Sequence, residues 1–304
     1  MQTSHEQSDT SMETTSSASR ETHPVLAAAF PTADVTLLSK DDVLFPISST
    51  TLSRTSSWFR AMFTLPQGTR LTSGTEPIAV SESSEVLAHL LSMISGISLP
   101  PLDNVDDIEA LLYAAEKYEM AMASAVLRLA LGRLVPSSPI RVFSIACRMS
   151  WEDEAKAAAS RTLELDIMSE DHAKGLGRLE ATHLMKLLLL HDRRRKMVIA
   201  ALADPVEFNA DNESGRRCNG AEESCNELED HSTWWALKVA WITEPWRFLC
   251  LAQVDANARS LPPELEACLD DTCQNCGKSL YNRRGTLENL QTIAQRLPQT
   301  IEWP

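Results

Sequence analysis

Apolar and polar positions alternate near the start of the chain, and the pattern then changes to a helical period. Residues 33–47, ADVTLLSKDDVLFPI, contain two alternating runs separated by the polar turn at 39–42. Two such runs joined by a short polar loop predict a β-hairpin. Pro46 lies in the second run and cannot donate a ladder hydrogen bond, so we expect this strand at a sheet edge.

The stretch 47–63, ISSTTLSRTSSWFRAMF, combines a composition rich in Ser and Thr with a cluster of large apolar side chains. It could be a polar linker or a helix with a buried face. The positions that recur at helical spacing are Leu52, Ser56, Phe59 and Phe63. Trp58 and Met62 form a second pair one turn apart, and Ser48 or Ser49 can cap the helix start. We therefore expect a helix with one buried stripe.

The remaining periodicity predicts a short strand at 76–82 and then a series of amphipathic helices. Residues 1–32 are rich in Ser, Thr and Glu and offer little to bury, which favours disorder. The expected organisation is a disordered N-terminal tail at 1–32, a first domain at 33–132, a helical extension at 137–203, an acidic loop or linker at 204–232 and a helical C-terminal region at 233–304. A small helical core is expected there from Trp234, Trp235, Trp241 and Trp246.

Charge and composition exclude several classes of protein. The net charge is -14, and the one dense basic run, HDRRRK at 191–196, is expected on a solvated helix face. Nucleic-acid binding normally needs a basic surface, so we expect no nucleic-acid partner. The N-terminus has no apolar core typical of a secretory signal, and no apolar run approaches the roughly 20 residues of a membrane helix. Seven Cys in a long chain favour a reducing compartment, so we expect an intracellular protein of the cytoplasm and/or nucleus with no membrane partner.

Several of these stretches together resemble the BTB/POZ domain, in the variety found in mushroom-forming (basidiomycete) fungi. The matching segments are ADVTLL, VLFPISSTTLSRTSSWFRAMF, EPIAVSE and DIEALLYAAEKYEM. The matching residues are Asp34 and Val35 at the opening, Leu52, Ser53, Ser56, Phe59, Met62 and Phe63 in the central run, and Ala115, Lys117, Tyr118 and Met120 near the end. The segment RVFSIACRMSWEDEAKAAA is similar to the helical extension of those fungal proteins.

The resemblance implies an α+β fold, in which a short β-sheet with clustered helices is followed by an all-helical extension and a small helical C-terminal region. It implies a non-enzymatic protein–protein interaction module that forms homodimers or scaffolds a partner. The alternative is a substrate adaptor of a cullin-type ubiquitin ligase. The interface residues implied are Asp34, Trp58 and Met62. Dimeric relatives pair the acid with a basic residue in a charged pocket, whereas this chain has Ser49 at the basic position.

The sequence contains no catalytic motif that would indicate an enzyme, but it contains one arrangement of Cys residues typical of metal sites. Cys273 and Cys276 form a C-x-x-C-G knuckle, which can present two thiolates to a tetrahedral zinc ion. Cys218 and Cys225 are the expected second pair, with His231 and Cys268 as other candidates. A structural zinc site is one interpretation, and free thiols in a packed region are the other.

Overall fold

The computed structural model describes residues 20–65, 76–97, 99, 101–204, 207–208, 231–244 and 261–303. The chain divides into two compact units, 1–130 and 131–304. In the described part of the first unit, strands β1 (Val35–Leu38), β2 (Leu44–Ile47) and β3 (Ile78–Ala79) form a sheet in the order β2-β1-β3. The antiparallel pairing of β1 and β2 confirms the predicted hairpin, and it places Pro46 on an edge strand as expected.

Part of the segment that we predicted as a disordered tail is folded. Residues 20–32 were expected to be disordered, but helix α1 (Pro24–Ala29) lies within them. Pro24 suits the first helical position, and His23 Nδ1 accepts a hydrogen bond from the backbone N–H of Leu26. The Leu26 side chain is fully buried. The backbone of His23 also donates to the carbonyl of Leu44, so pairing with a distant strand orders this segment.

The stretch with the Ser- and Thr-rich composition forms two helices, α2 (Ser49–Thr55) and α3 (Ser57–Thr64), where we predicted one. The buried face was predicted correctly, because Leu52 and Phe59 are both buried. Ser56 adopts an extended backbone between the helices and caps α3 by accepting the N–H of Phe59 at 3.0 Å. Its side chain therefore belongs to a helix boundary and not to the middle of a helical stripe.

Three longer helices complete the first part of the fold, and all were predicted from their apolar periodicity. They are α4 (Ser84–Ser95), α5 (Val105–Lys117) and α6 (Ala121–Arg133), and the boundary between the units falls within α6. Gly96 ends α4 with a φ of 71°, a left-handed conformation that glycine adopts without a Cβ clash. The combination of a small sheet with clustered helices confirms the predicted α+β class.

The described part of the second unit is mostly helical. Its helices are α7 (Pro139–Arg148), α8 (Glu152–Thr162), α9 (Ala173–Leu176), α10 (Ala181–Ala203), α11 (Ser232–Thr243), α12 (Pro263–Leu269) and α13 (Arg283–Arg296), with a 3-10 turn at Glu170–His172. Helices α7 and α8 pack against each other. The acidic loop predicted at 204–232 lies almost wholly outside the described residues.

An apolar cluster in the described part of the second unit joins the end of α10 to α11, α12 and α13. Trp234 and Trp241 are fully buried in it, together with Phe208 and Tyr281. The Phe208 and Trp234 rings stack at 4.7 Å between centroids. These contacts confirm the small helical core predicted for this region, although Trp235 is 55% exposed and Trp246 lies outside the described residues.

Candidate protein-binding surface

The aromatic side chains of α3 are anchored to the end of α5. Tyr118 caps the C-terminus of α5, and its carbonyl accepts a hydrogen bond from the Ser56 hydroxyl. The Phe59 ring stacks on the Tyr118 ring at 5.2 Å, and both side chains are about 1% exposed. This buried pair fixes the orientation of α3, because the helix is held both at its cap and along its apolar face.

Trp58 packs against this pair and is only partly covered. Its ring meets the Tyr118 ring edge-on at 5.4 Å and the Phe59 ring at 4.8 Å, yet 39% of the residue is exposed. Edge-to-face contacts of this kind favour one ring orientation. The structure therefore presents a large apolar side chain in a fixed position on the surface, which is typical of an interface anchor.

The exposed stripe of α3 extends beyond the residues that the sequence indicated. Met62 is half-buried one turn after Trp58, and Leu65, at the C-cap, is 64% exposed. Spacings of four and three residues place the three side chains on one helix face. We call Trp58, Met62 and Leu65 the α3 stripe. Leu65 was missed because the predicted helix pattern ended at Phe63, although a seven-residue spacing from Trp58 would have indicated it.

The segment of sequence that contains the α3 stripe differs in charge from the chain as a whole. The sequence from Val43 to Thr75 contains three Arg and no Asp or Glu, in a chain of net charge -14. Arg54 on α2 and Arg60 on α3 are exposed, and neither has an ion-pair partner among the described residues. An apolar stripe with basic neighbours favours a partner surface that is apolar and acidic.

Asp34, the third predicted interface residue, is used inside the domain. Its carboxylate accepts the backbone N–H of Ser49 at 2.7 Å and the Ser49 hydroxyl, which holds the first turn of α2. These hydrogen bonds, with the hydroxyl contribution largest, lower the pKa of Asp34. Ser49 thus donates the hydrogen bonds that the Asp34 carboxylate accepts. In the dimeric relatives, a basic residue is expected at this position. The structure places Asp34 beside α2 and does not bring it together with Trp58.

A second polar network, centred on Glu82, fixes the C-terminal end of α5. The Glu82 carboxylate accepts hydrogen bonds from the Tyr118 hydroxyl and from Lys117 Nζ, the latter at 2.8 Å. Burial by itself raises the pKa of Glu82, but these two donors outweigh it and the net pKa is lowered. Burial and the neighbouring carboxylate both raise the pKa of Tyr118, so the phenol stays protonated and continues to donate. The ring that supports Trp58 is therefore held at both ends.

The predicted zinc knuckle has the backbone of a tight hairpin turn. The Cys273 N–H donates to the Lys278 carbonyl at 2.8 Å, and the Gly277 N–H donates to the Cys273 carbonyl at 2.9 Å. Gly277 has a φ of 71°, which explains the glycine after the second Cys. Cys218 and Cys225 lie outside the described residues, and within the described ranges no three His, Cys, Asp or Glu side chains form a metal-ligand group.

The comparison with protein families agrees with this architecture. Residues 28–131 match the family model described as the BTB/POZ domain. This part of the chain is a BTB/POZ domain. A BTB domain is a protein–protein interaction module, so the surface elements described above belong to a domain whose general role is to bind proteins. The comparison with curated proteins found no match to the chain.

The match to the BTB/POZ family covers residues 28–131 and no other part of the chain. Origin in mushroom-forming fungi stays a prediction from the resemblance, as do homodimer formation and a cullin partner. The helices in the described part of the chain do not include one with the length and apolar character needed to cross a membrane. The sheet and the α3 stripe both fall within the matched residues, whereas the Cys273 knuckle falls outside them.

Proposed function

We propose that the protein is a non-enzymatic interaction module whose BTB domain binds a second copy of itself through a surface that includes the α3 stripe. The observation that carries this proposal is the partly exposed Trp58, which Tyr118 and Phe59 hold in one orientation. A side chain fixed in this way loses little conformational freedom when a partner covers it. BTB domains often bind as dimers, which favours a second copy as the occupant.

The charges of the BTB domain support association between two copies. The exposed Arg54 and Arg60 lie in the acid-free stretch, while Asp106 and Asp107 are exposed in the first turn of α5. Each copy therefore offers basic side chains that can meet the acidic ones of the other copy. A stable interface needs about 1,200–2,000 Å² of buried surface in total. The α3 stripe supplies the apolar centre of such an interface, and the charged side chains supply its rim.

Sedimentation equilibrium of the purified full chain tests this proposal. We expect a reversible dimer, and we expect the double variant Met62→Gln, Leu65→Gln to dissociate at least about tenfold more readily, since anchor truncations often cost about 2 kcal/mol. Met185→Gln is the matched control, because this Met is exposed on α10 outside the BTB domain. A wild-type chain that stays monomeric at about 100 μM, or a double variant that dimerises as strongly, contradicts the proposal.

The second candidate is a substrate adaptor for a cullin-type ubiquitin ligase. It is favoured by one observation, the packed helical pair α7 and α8 that follows the BTB domain along the chain. Titration calorimetry of the full chain with a purified cullin tests it directly. Micromolar or tighter binding supports the adaptor function. Lack of binding at about 100 μM excludes it and leaves the self-association proposal untouched.

A further inference from the structure

The second unit contains a cavity of about 310 Å³ that the proposed function does not use. Its lining comes from the segment after α8, from α10 and from Thr243 at the end of α11. The apolar part of the wall includes Leu163, Leu165, Ile167 and Leu188. Cavities of this size are large enough to accept small organic molecules. The apolar wall favours a ligand with a hydrocarbon body.

Arg194 gives this cavity a charged group. The sequence predicted the run 191–196 on a solvated face, but Arg194 is only 3% exposed and lies in the cavity wall. Its Nη1 donates to the carbonyl of Pro298 at 2.8 Å. Its Nε and Nη2 atoms are buried and have no hydrogen-bond partner in the described part of the chain. Burial lowers the pKa of Arg194 to about 10, so the guanidinium is still protonated at neutral pH.

The two N–H groups without partners form one edge of the guanidinium. Nε and Nη2 project parallel donors, and this fork matches the two oxygens of a carboxylate. Buried cationic donors are normally paired, because water can no longer solvate them. Among the carboxylates in the wall, Asp192 pairs with Lys196 at 2.7 Å and Asp166 accepts the N–H of Met168. Neither is hydrogen-bonded to Arg194.

We propose that this cavity binds a small monocarboxylic acid with an apolar body, whose carboxylate pairs with the Nε and Nη2 edge of Arg194. The guanidinium pivots about its hydrogen bond to Pro298 so that this edge meets the ligand. The ligand's hydrocarbon part packs against Leu165, Ile167 and Leu188. Arg195, which is exposed in the same wall, adds a positive charge that attracts an anion from solution.

A monoanion suits this cavity better than phosphate does. Asp166 and Asp192 both contribute to the wall, so a doubly charged anion meets two like charges. The apolar surface of Leu165 and Leu188 also gains nothing from a compact, strongly hydrated ion. A neutral molecule of the same shape, in contrast, leaves the Arg194 edge without a charged acceptor. A monocarboxylate, a neutral analogue of the same shape and phosphate are therefore the three probes that test the proposal.

Ligand-observed NMR titration of the full chain tests the proposal with 3-phenylpropionate, its neutral analogue 3-phenylpropanamide and inorganic phosphate. We expect the carboxylate to bind at least tenfold more tightly than the amide and than phosphate. Arg194→Met should weaken carboxylate binding at least tenfold and leave the weak amide binding unchanged. Arg193→Gln is the matched control, because Arg193 is exposed on the same helix and pairs with Glu302 outside the cavity wall.

A second variant keeps the test decisive if Arg194→Met does not fold. Leu188→Trp fills the cavity from α10 and keeps Arg194 in place, and we expect it to abolish carboxylate binding. Circular dichroism establishes that each variant is folded. The proposal is overturned if the amide binds as well as the carboxylate, if binding survives in Leu188→Trp, or if 3-phenylpropionate does not bind at about 10 mM.

Discussion

The carboxylate of Asp41 binds both the backbone N–H and the hydroxyl of Ser84, 43 positions later in the chain, with the N–H contact at 2.7 Å. The pair holds the start of α4 against the β1–β2 turn. Asp34 and Ser49 repeat the same arrangement at the start of α2. Two loop carboxylates thus fix two helix N-termini of the BTB domain, where the helix dipole also favours negative charge.

The stability of the folded protein at acidic pH should depend on Asp41. Hydrogen bonds, first from the Ser84 hydroxyl and then from Ser39, lower the pKa of Asp41 to about 2 from its usual 3.8. A lowered pKa contributes stability above the unfolded value, and this contribution is lost as pH falls through the folded value. Asp41→Asn should therefore lower the midpoint of thermal unfolding at pH 6 and reduce its change between about pH 4 and pH 2. Asp42→Asn is the control, and equal acid profiles of Asp41→Asn and wild type contradict the prediction.

Ser56→Ala should destabilise the BTB domain. The hydroxyl is buried, donates to the Tyr118 carbonyl and accepts the Phe59 N–H. Its removal leaves two buried backbone groups without this partner, which costs about 2 kcal/mol. Urea unfolding measures the change in the free energy of unfolding. Ser57→Ala, at the half-buried neighbouring position, should change it by less than about 0.5 kcal/mol. Similar losses in both variants would count against a special role for Ser56.

The sequence predicted the elements whose stability depends on local apolar periodicity. The hairpin and helices α4 to α6 follow directly from the spacing of their apolar residues. The break at Ser56 could not be predicted, because its hydroxyl is engaged by a carbonyl 62 positions away. Helix α1 was missed for a similar reason, since the short apolar segment around Leu26 is ordered by pairing with Leu44.

The site was predicted less completely than the fold. Trp58 and Met62 were identified, but neighbouring charges decide the kind of partner, and these became visible only with the exposure of Arg54 and Arg60. Arg194 was placed on a solvated face because a run of charges usually lies there. Its burial depends on contact with Pro298, which lies 104 positions away. Local pattern carries no information about a contact of that kind.

Self-association should weaken as ionic strength rises. Exposed charges are screened over about 8–10 Å at 0.1–0.15 M salt, and rim charges act mainly through this long-range attraction. The dimer dissociation constant should increase between 50 mM and 500 mM NaCl. Arg54→Gln together with Arg60→Gln should flatten that dependence, whereas Arg133→Gln should not. An association that strengthens with salt in the wild type would show that apolar contacts alone determine it.

His191 should reduce the stability of the second unit at mildly acidic pH. Burial, and next the positive charge of Arg194, lower the pKa of His191 from 6.5 to about 4, although Asp166 partly opposes the shift. Below pH 6.5 the unfolded chain binds a proton that the folded chain does not, so stability is lost between about pH 6.5 and pH 4.

His191→Gln keeps a donor for the Thr162 hydroxyl, which lies 3.1 Å from Nε2 of His191. Between about pH 6.5 and pH 4, the free energy of unfolding of this variant should fall by about 2 kcal/mol less than that of the wild type. Urea unfolding at each pH measures it. His172→Gln, in the 3-10 turn, is the control. An unchanged pH profile in His191→Gln would show that His191 is not the group responsible.

The Cys273 knuckle should bind zinc if the remaining ligands come from the pair predicted by sequence. The turn has the compact backbone and the left-handed glycine of a C-x-x-C-G knuckle, a sequence that can present two thiolates to zinc. Protein purified without chelators should contain about one zinc ion per chain, as measured by inductively coupled plasma mass spectrometry. Cys273→Ser and Cys225→Ser should each lose the metal, because a structural site needs all four ligands.

Cys147→Ser is the matched control for the zinc prediction. Cys147 lies buried in α7, where burial raises the pKa of its thiol to about 12 and disfavours the thiolate that binds metal. This variant should keep its zinc. Removal of zinc by a chelator should lower the melting temperature of the wild type, since metal binding stabilises the folded state. Substoichiometric metal after gentle purification would instead favour the other interpretation, in which these cysteines are free thiols.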